Sequence, residues 1–226
     1  MISLVVCGAT GRMGTLICQL AEHSKDWKVV GKVSKQSPLE TSIQHGEVII
    51  DFSLPEATNH HLQLALQHKK PIVIGATGLS SDQMGSLKEA GQTIPIVYSP
   101  NMSVGVNLMF QMIALAAKAV GKDYQVEISE THHIRKKDQP SGTAKMMGMI
   151  VQETTGVKPP IQSLREGDVV GDHTIVFGSP SEHLAILHRA IDRKVFAEGA
   201  LKAAKWIVGK KPGLYSMADV LSLVSS

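Results

Sequence analysis

The sequence predicts an α/β protein: a Rossmann-like parallel-sheet domain plus an α+β domain whose sheet is mixed or antiparallel. Three observations carry this prediction. Short apolar runs alternate with stretches of helical period through about residue 100. A glycine-punctuated turn, Gly8-Ala9-Thr10-Gly11-Arg12-Met13-Gly14, joins the first apolar run to the first helical stretch. Beyond residue 102 the alternation gives way to one long helix and then to strands of alternating polarity.

Each element has its own local reason. Ile2–Cys7 is a short apolar run stopped by Gly8, the pattern of a buried strand. Met13, Leu16, Ile17, Leu20 and Ala21 then fall on one helix face. Trp27–Val33 and Glu47–Phe52 read as the second and third strands, and Pro55 opens the next helix. Pro71–Ile74 is a fourth strand ending at Gly75. A helix over 81–90 leads to a fifth strand, Ile94–Tyr98. The second pattern begins with a helix over Val104–Val120 and an alternating strand, Tyr124–Glu130. A helix after Pro140 carries Met146, Met147, Met149 and Ile150. Val169-Val170, Thr174–Phe177 and Leu184–His188 are strand-like, Phe196–Val208 is helical up to Gly209, and 214–223 reads as a short returning helix. The expected division is a first domain over 1–102 with a tail at 208–226, and a second over 103–207.

Composition narrows the function classes. With 43% hydrophobic residues and a net charge of +3, dominant disorder is excluded. Two cysteines, Cys7 and Cys18, cannot make a disulfide scaffold and suit a core. Four Phe, two Trp and three Tyr are few for base stacking, so no nucleic-acid partner is expected. No apolar run approaches the ~20 residues of a membrane span, and no basic leader precedes the first strand. The expectation is a cytoplasmic protein without a membrane partner.

The glycine turn, with its spacing G-x-x-G-x-x-G, suits a phosphate: glycines permit close backbone approach, and a helix N-terminus offers free N–H groups. Gly8, Ala9, Thr10, Gly11, Arg12 and Met13 are therefore candidate cofactor residues. The second strand ends Val33-Ser34-Lys35-Gln36, without the acid that would hold an adenosine ribose. Lys35, with Lys32 nearby, favours a 2′-phosphate if it is more than a solvated loop lysine. NADPH, NADH or both are the expected cofactors. Two more turns leave strand ends, at Gly75-Ala76-Thr77-Gly78 and Ser99-Pro100-Asn101-Met102. In an open α/β sheet these face the ligand, so Gly75, Ala76, Thr77, Ser99, Pro100, Asn101 and Met102 join the cofactor set.

The most specific segment runs from Glu130 to Ala144: E-T-H-H-I-R-K-K-D-Q-P-S-G-T-A. Five of the six residues His132–Lys137 are His, Arg or Lys. The segment then ends in Pro-Ser-Gly-Thr, which opens an apolar helix. Helix N–H donors on one side and cations on the other suit a carboxylate, and two such groups suit a dicarboxylate. A histidine here can supply a proton near neutral pH. His132 and His133 lack a cysteine or carboxylate at zinc-ligand spacing, so no metal is expected.

This segment resembles the signature E-x-x-H-H-x-x-K-x-D-x-P-S-G-T-A of the dihydrodipicolinate reductase family. The glycine turn, Asp51-Phe52-Ser53, Gly75–Gly78, Asn101–Asn107, Arg165 with Gly167, Val170-Gly171, His173, Phe196-Ala197, Gly199-Ala200 and Gly213–Tyr215 are similar to its other motifs. The resemblance implies reduction of 4-hydroxy-tetrahydrodipicolinate, a cyclic dicarboxylate, by NADH or NADPH on the route to diaminopimelate and lysine. It makes His132 the acid/base and Lys136 the proton donor. His133, Gly142 and Thr143 become carboxylate ligands, with Ser141 nearby. It also implies homotetramers joined through the sheet of the second domain, which becomes the substrate-binding and oligomerisation domain beside a dinucleotide-binding one. Against the family pattern, the interval from Val33 to Glu47 is short, so a helix there is expected to be trimmed or missing, and Gln139 stands where a small residue is common. Another reductase of a small dicarboxylate, or a non-catalytic dinucleotide sensor, are the competing readings; a sensor would need neither His132 nor Lys136.

Overall fold

A computed structural model describes residues 1–223. It divides into two compact units, Met1–Val104 with the chain from Lys194 onward, and Gly105–Arg193. In chain order the elements are β1 (Ile2–Cys7), α1 (Arg12–Glu22), β2 (Trp27–Val33), β3 (Val48–Asp51), α2 (Pro55–Gln67), β4 (Ile72–Ile74), α3 (Ser81–Ala90), β5 (Pro95–Tyr98), α4 (Val104–Val120), β6 (Gln125–His132), α5 (Gly142–Thr155), β7 (Ile161–Arg165), β8 (Gly171–Gly178), β9 (His183–Ala190), α6 (Lys194–Ile207), β10 (Gly213–Tyr215) and α7 (Met217–Val220). Between β2 and β3 stand two short 3-10 turns, Leu39–Thr41 and Ile43–His45, in place of a crossover α-helix.

The first unit is built on a six-stranded sheet in the order β10-β5-β4-β3-β1-β2, every pair parallel. Its strands read as continuous apolar runs because both faces are covered. Leu4, Val6, Ile50, Val73 and Val97 point to one side, into a core shared with Ile17 and Ala21 of α1 and Ala200 and Ala204 of α6. Val5, Ile49, Ile72, Ile74 and Ile96 point to the other, against Leu62 of α2 and Leu87 of α3.

Two expectations are corrected here. The stretch 194–207 falls within the expected second domain, but α6 belongs to the first unit. Its alanine-rich stripe is buried in the first core, and Gly199 lets it lie against the backbone of Met102, where a Cβ would stand 1.8 Å from the carbonyl oxygen. Periodicity shows that a helix has an apolar face, not which sheet that face will meet. The tail also supplies a strand: β10 pairs with β5 at the sheet edge before the short α7. The end of the predicted tail, 224–226, lies outside the described residues.

The second unit has a mixed four-stranded sheet, β7-β6-β8-β9, with β6 parallel to β7 and antiparallel to β8, and β8 antiparallel to β9. The strand β7 replaces the one expected at Val169-Val170, which is not a strand. With only Ile161 and Leu164 apolar, β7 has too little pattern to be read locally. One sheet face is buried: Ile128, Ile175, Ile186 and Phe177 pack with Val106, Met109 and Ile113 of α4 and Met147 and Val151 of α5. The opposite face carries Leu164 and Leu187, which are 48% and 61% exposed. No helix among the described residues is long and apolar enough to cross a membrane.

Candidate active site

The parallel register of the first sheet sets Cys7, Asp51, Ile74 and Tyr98 level with one another. The turns that follow β1, β4 and β5 therefore leave from one edge, as expected from the sequence. The glycines in the first turn are sterically required. Gly8 has φ +76°, and a Cβ on it would lie 2.6 Å from the Phe52 carbonyl oxygen; one on Gly14 would lie 2.1 Å from the Gly8 carbonyl oxygen. Gly11 caps α1 without any side-chain hydrogen bond, and the first turn of that helix holds no acidic residue. Its first turn thus brings neither a side-chain cap nor an acidic residue to the free N–H groups, which fits a pyrophosphate.

The other candidates at this edge divide by burial. Thr10, Gly11, Arg12, Thr77 and Pro100 are exposed; Gly8, Ala9, Met13 and Asn101 are half-buried; Gly75, Ala76, Ser99 and Met102 are buried. The side chain of Met102 lies in the core, and the Ser99 hydroxyl donates to the Asn101 carbonyl at 2.7 Å. These two can serve a ligand only through backbone. Lys35 is exposed just past β2, whereas Lys32 is already paired with Glu22 at 2.7 Å. Beneath the edge, the fully buried Asp51 accepts hydrogen bonds from the Ser53 N–H (2.8 Å) and His61 Nδ1 (3.1 Å). Burial works against its charge, but these donors outweigh it and hold the carboxyl below its usual pKa. The Cys7 thiol lies within 4.8 Å of both, and burial pushes its pKa up.

In the second unit one face of the sheet changes character along its strands. The row Ile161, Ile128, Ile175, Ile186 is apolar; the next row is Ser163, Glu130, His173, His188; and beyond it Arg165 lies opposite His132. Gly171 stands beside His132, where a Cβ would come within 3.0 Å of Nε2. Glu130 is 1% exposed. Its carboxylate accepts from His132 Nδ1 (2.5 Å), from Arg165 Nη1 (3.0 and 3.1 Å) and from the Ser141 N–H (3.2 Å). Burial alone would raise its pKa; the polar groups of Ser163, His132 and Arg165 lower it by more, so it stays ionised.

Arg165 also fastens the loop before α5. Its Nε donates to the Lys136 carbonyl (3.3 Å) and its Nη2 to the Asp138 carbonyl (2.5 Å). The Lys136 ammonium lies 2.8 Å from Asp138. Burial lowers the His132 pKa by more than the hydrogen bond and charge of Glu130 raise it, and Lys136 and Arg165 add smaller lowering contributions, so the neutral ring is favoured. With Nδ1–H donated to Glu130, its lone pair lies on Nε2. Ser141 is 1% exposed; its hydroxyl caps α5 by accepting from the Ala144 N–H (3.3 Å) and contacts His173 Nε2 (3.3 Å). Gly142, at the start of α5, is exposed, Thr143 and His133 are half-buried, and the first turn has no acidic residue.

The fold therefore brings His132, Lys136, Ser141 and the α5 N-terminus into one locality. It adds Glu130, Arg165, Gly171 and His173, to which the sequence reading gave no role. Their only signal was membership in the signature or in the C-terminal motif. Nothing local ties Arg165 or His173 to His132, because cross-strand pairing does it.

Comparison with known proteins decides the family. Residues 2–102 match the family model for the dihydrodipicolinate reductase N-terminus, and residues 105–221 match that for its C-terminus. The chain belongs to the dihydrodipicolinate reductase family. It is 41% identical to the 4-hydroxy-tetrahydrodipicolinate reductase of Syntrophus aciditrophicus (strain SB), over all of both chains, and 41% identical to that of Aquifex aeolicus (strain VF5), over 98% of this chain and 99% of the other. The first alignment runs over 268 positions against the 226 residues here, so this family member is compact. Its fold is similar to that of a dipicolinate-bound dihydrodipicolinate reductase from Paenisporosarcina sp. TG-14, with TM-score 0.82 and 21% identity over 97% of this chain and 98% of the other.

Proposed function

We propose that this protein reduces 4-hydroxy-tetrahydrodipicolinate to tetrahydrodipicolinate with NADPH or NADH, on the route to diaminopimelate and lysine. The observation that carries the reading is the cluster of cationic Lys136, neutral His132 and the exposed α5 start around the buried Glu130–Arg165 pair. The first unit is the dinucleotide-binding domain, and its glycine turn, Gly75–Thr77 and Ser99–Met102 hold the cofactor; the second unit is the substrate-binding domain. The bound nicotinamide supplies hydride.

The protein's own residues do the rest. N–H groups of Gly142 and Thr143 hold one substrate carboxylate, His133 the other, and Ser141 keeps the helix start in place. Lys136 offsets the negative charge that hydride addition leaves and delivers the proton. His132, with its lone pair on Nε2, takes up and returns a proton as the substrate hydroxyl departs. In sum one hydride and one proton enter and one water leaves. The test is to follow nicotinamide absorbance with authentic substrate: steady oxidation is expected, and none above background would overturn the reading.

Lys35 is the basis for a cofactor preference. Lys35→Glu is expected to weaken NADPH binding by about tenfold relative to NADH, as loss of one charge-assisted contact would. An unchanged ratio of the two dissociation constants would make Lys35 an ordinary loop lysine.

Self-association is the last part of the proposal. The open face of the second sheet, with Leu164 and Leu187, is the surface through which copies would join as a homotetramer. Leu187→Glu is expected to lower the molar mass measured by light scattering at micromolar protein, while the melting profile of each unit is retained. A wild-type mass that is already monomeric counts against the assembly.

A further inference from the structure

Across β6 and β8, Glu130 and His173 are register partners. They reach the same two neighbours. Glu130 takes His132 Nδ1 and the Ser141 N–H, while the His173 ring meets the His132 ring edge-on at 5.0 Å and its Nε2 meets the Ser141 hydroxyl at 3.3 Å. From these contacts we infer that His173 is a positioning residue for the reaction, seating both the His132 ring and the Ser141 cap so that the α5 N–H groups meet a substrate carboxylate in fixed geometry.

The hydrogen-bond chemistry is consistent. The Ser141 hydroxyl accepts from the Ala144 N–H and keeps its proton and a second lone pair to share with His173 Nε2. A neutral ring meets it in either tautomer, through a lone pair or an N–H at Nε2. Burial pushes its pKa down to about 3, so the ring is neutral near neutral pH. The ring is only 3% exposed, too enclosed to touch substrate itself. Its Nδ1 is buried without a hydrogen-bond partner among the described residues. An apolar ring would fill this space without stranding a nitrogen, so the nitrogen facing Ser141 is the reason for a histidine here.

This inference rests on the reductase reading, and the wild-type assay tests that reading separately. Three variants, His173→Phe, His173→Gln and Ser141→Ala, are compared for binding of dipicolinate by calorimetry, for KM and kcat, for cofactor Kd and for melting temperature. His173→Phe keeps the ring but not the hydrogen bond. It is expected to weaken dipicolinate binding and raise substrate KM by about tenfold, with kcat reduced less and cofactor Kd unmoved. His173→Gln, whose amide can restore the hydrogen bond to Ser141 in either direction, is expected to recover most of this. Ser141→Ala removes the same bond from its other end together with the helix cap, so the double variant His173→Phe/Ser141→Ala should be no worse than the more impaired single. If His173→Phe fails to fold, the contrast of His173→Gln with Ser141→Ala carries the test: Gln must bind dipicolinate better. Wild-type dipicolinate binding in His173→Phe, equal losses in Phe and Gln, or additive losses in the double variant would overturn the inference.

Discussion

Replacing Lys136 by alanine is expected to lower kcat by about 100- to 1,000-fold, with cofactor Kd and melting temperature close to wild type. The side chain is partly exposed, and its ion-pair partner Asp138 lies half in solvent. Such a pair contributes little to stability. The loop that carries Lys136 is fastened by Arg165 through the carbonyls of residues 136 and 138, and alanine keeps both. Loss of the ammonium therefore removes charge and a proton where the reaction needs them, and little else. Steady-state kinetics with the authentic substrate, alongside cofactor titration and a thermal melt, decide the matter. Turnover within threefold of wild type would remove Lys136 from the proton-donor role, and a rise confined to KM would make it a substrate-binding cation instead.

The largest effect on stability is expected from Arg165→Met. The Glu130 carboxylate is fully buried, and the Arg165 guanidinium is paired with it at 3.0 Å. Removing one member of a buried pair leaves a charge without compensation, at a cost of about 3–5 kcal/mol. The pH dependence follows in sign. With its folded pKa below the usual 4.5, ionised Glu130 contributes stability above that value and loses it as pH falls through the lower folded pKa. In Arg165→Met the carboxyl pKa rises, so part of the deficit should disappear on acidification. The double variant Glu130→Gln/Arg165→Met should regain most of the melting temperature without regaining activity, because His132 and the loop at 136–138 both lose their anchors. Calorimetric melts from pH 3 to 8 test this; an Arg165→Met melt equal to wild type at pH 7 would show that the remaining donors, not Arg165, satisfy Glu130.

Much of this arrangement is legible in the sequence, and the limits have physical causes. Glycine requirements are local: the strand-turn-helix around Gly8 follows from residues a few positions apart, and the structure needs glycine there because backbone oxygens occupy the Cβ position. The helix over 104–120 and the cap at Ser141 are equally local. Weakly patterned edge strands are not. β7 and β10 are short, with few apolar residues, and form because a neighbouring strand offers hydrogen bonds. Ser141 shows the same limit within the site. The family resemblance sets it beside the substrate carboxylates, yet it is buried and its hydroxyl is committed to a helix cap and to His173.

The sequence by itself determined the doubly covered parallel sheet, the three turns on one edge and the identity of His132, Lys136 and the α5 start, because periodicity, turn chemistry and the His-His-Lys segment act over short spans. Only the tertiary structure decided that α6 packs into the first core and that Glu130, Arg165, Gly171 and His173 gather around His132. Those choices depend on which faces and strands meet across long stretches of chain, and neither periodicity nor spacing encodes the partner.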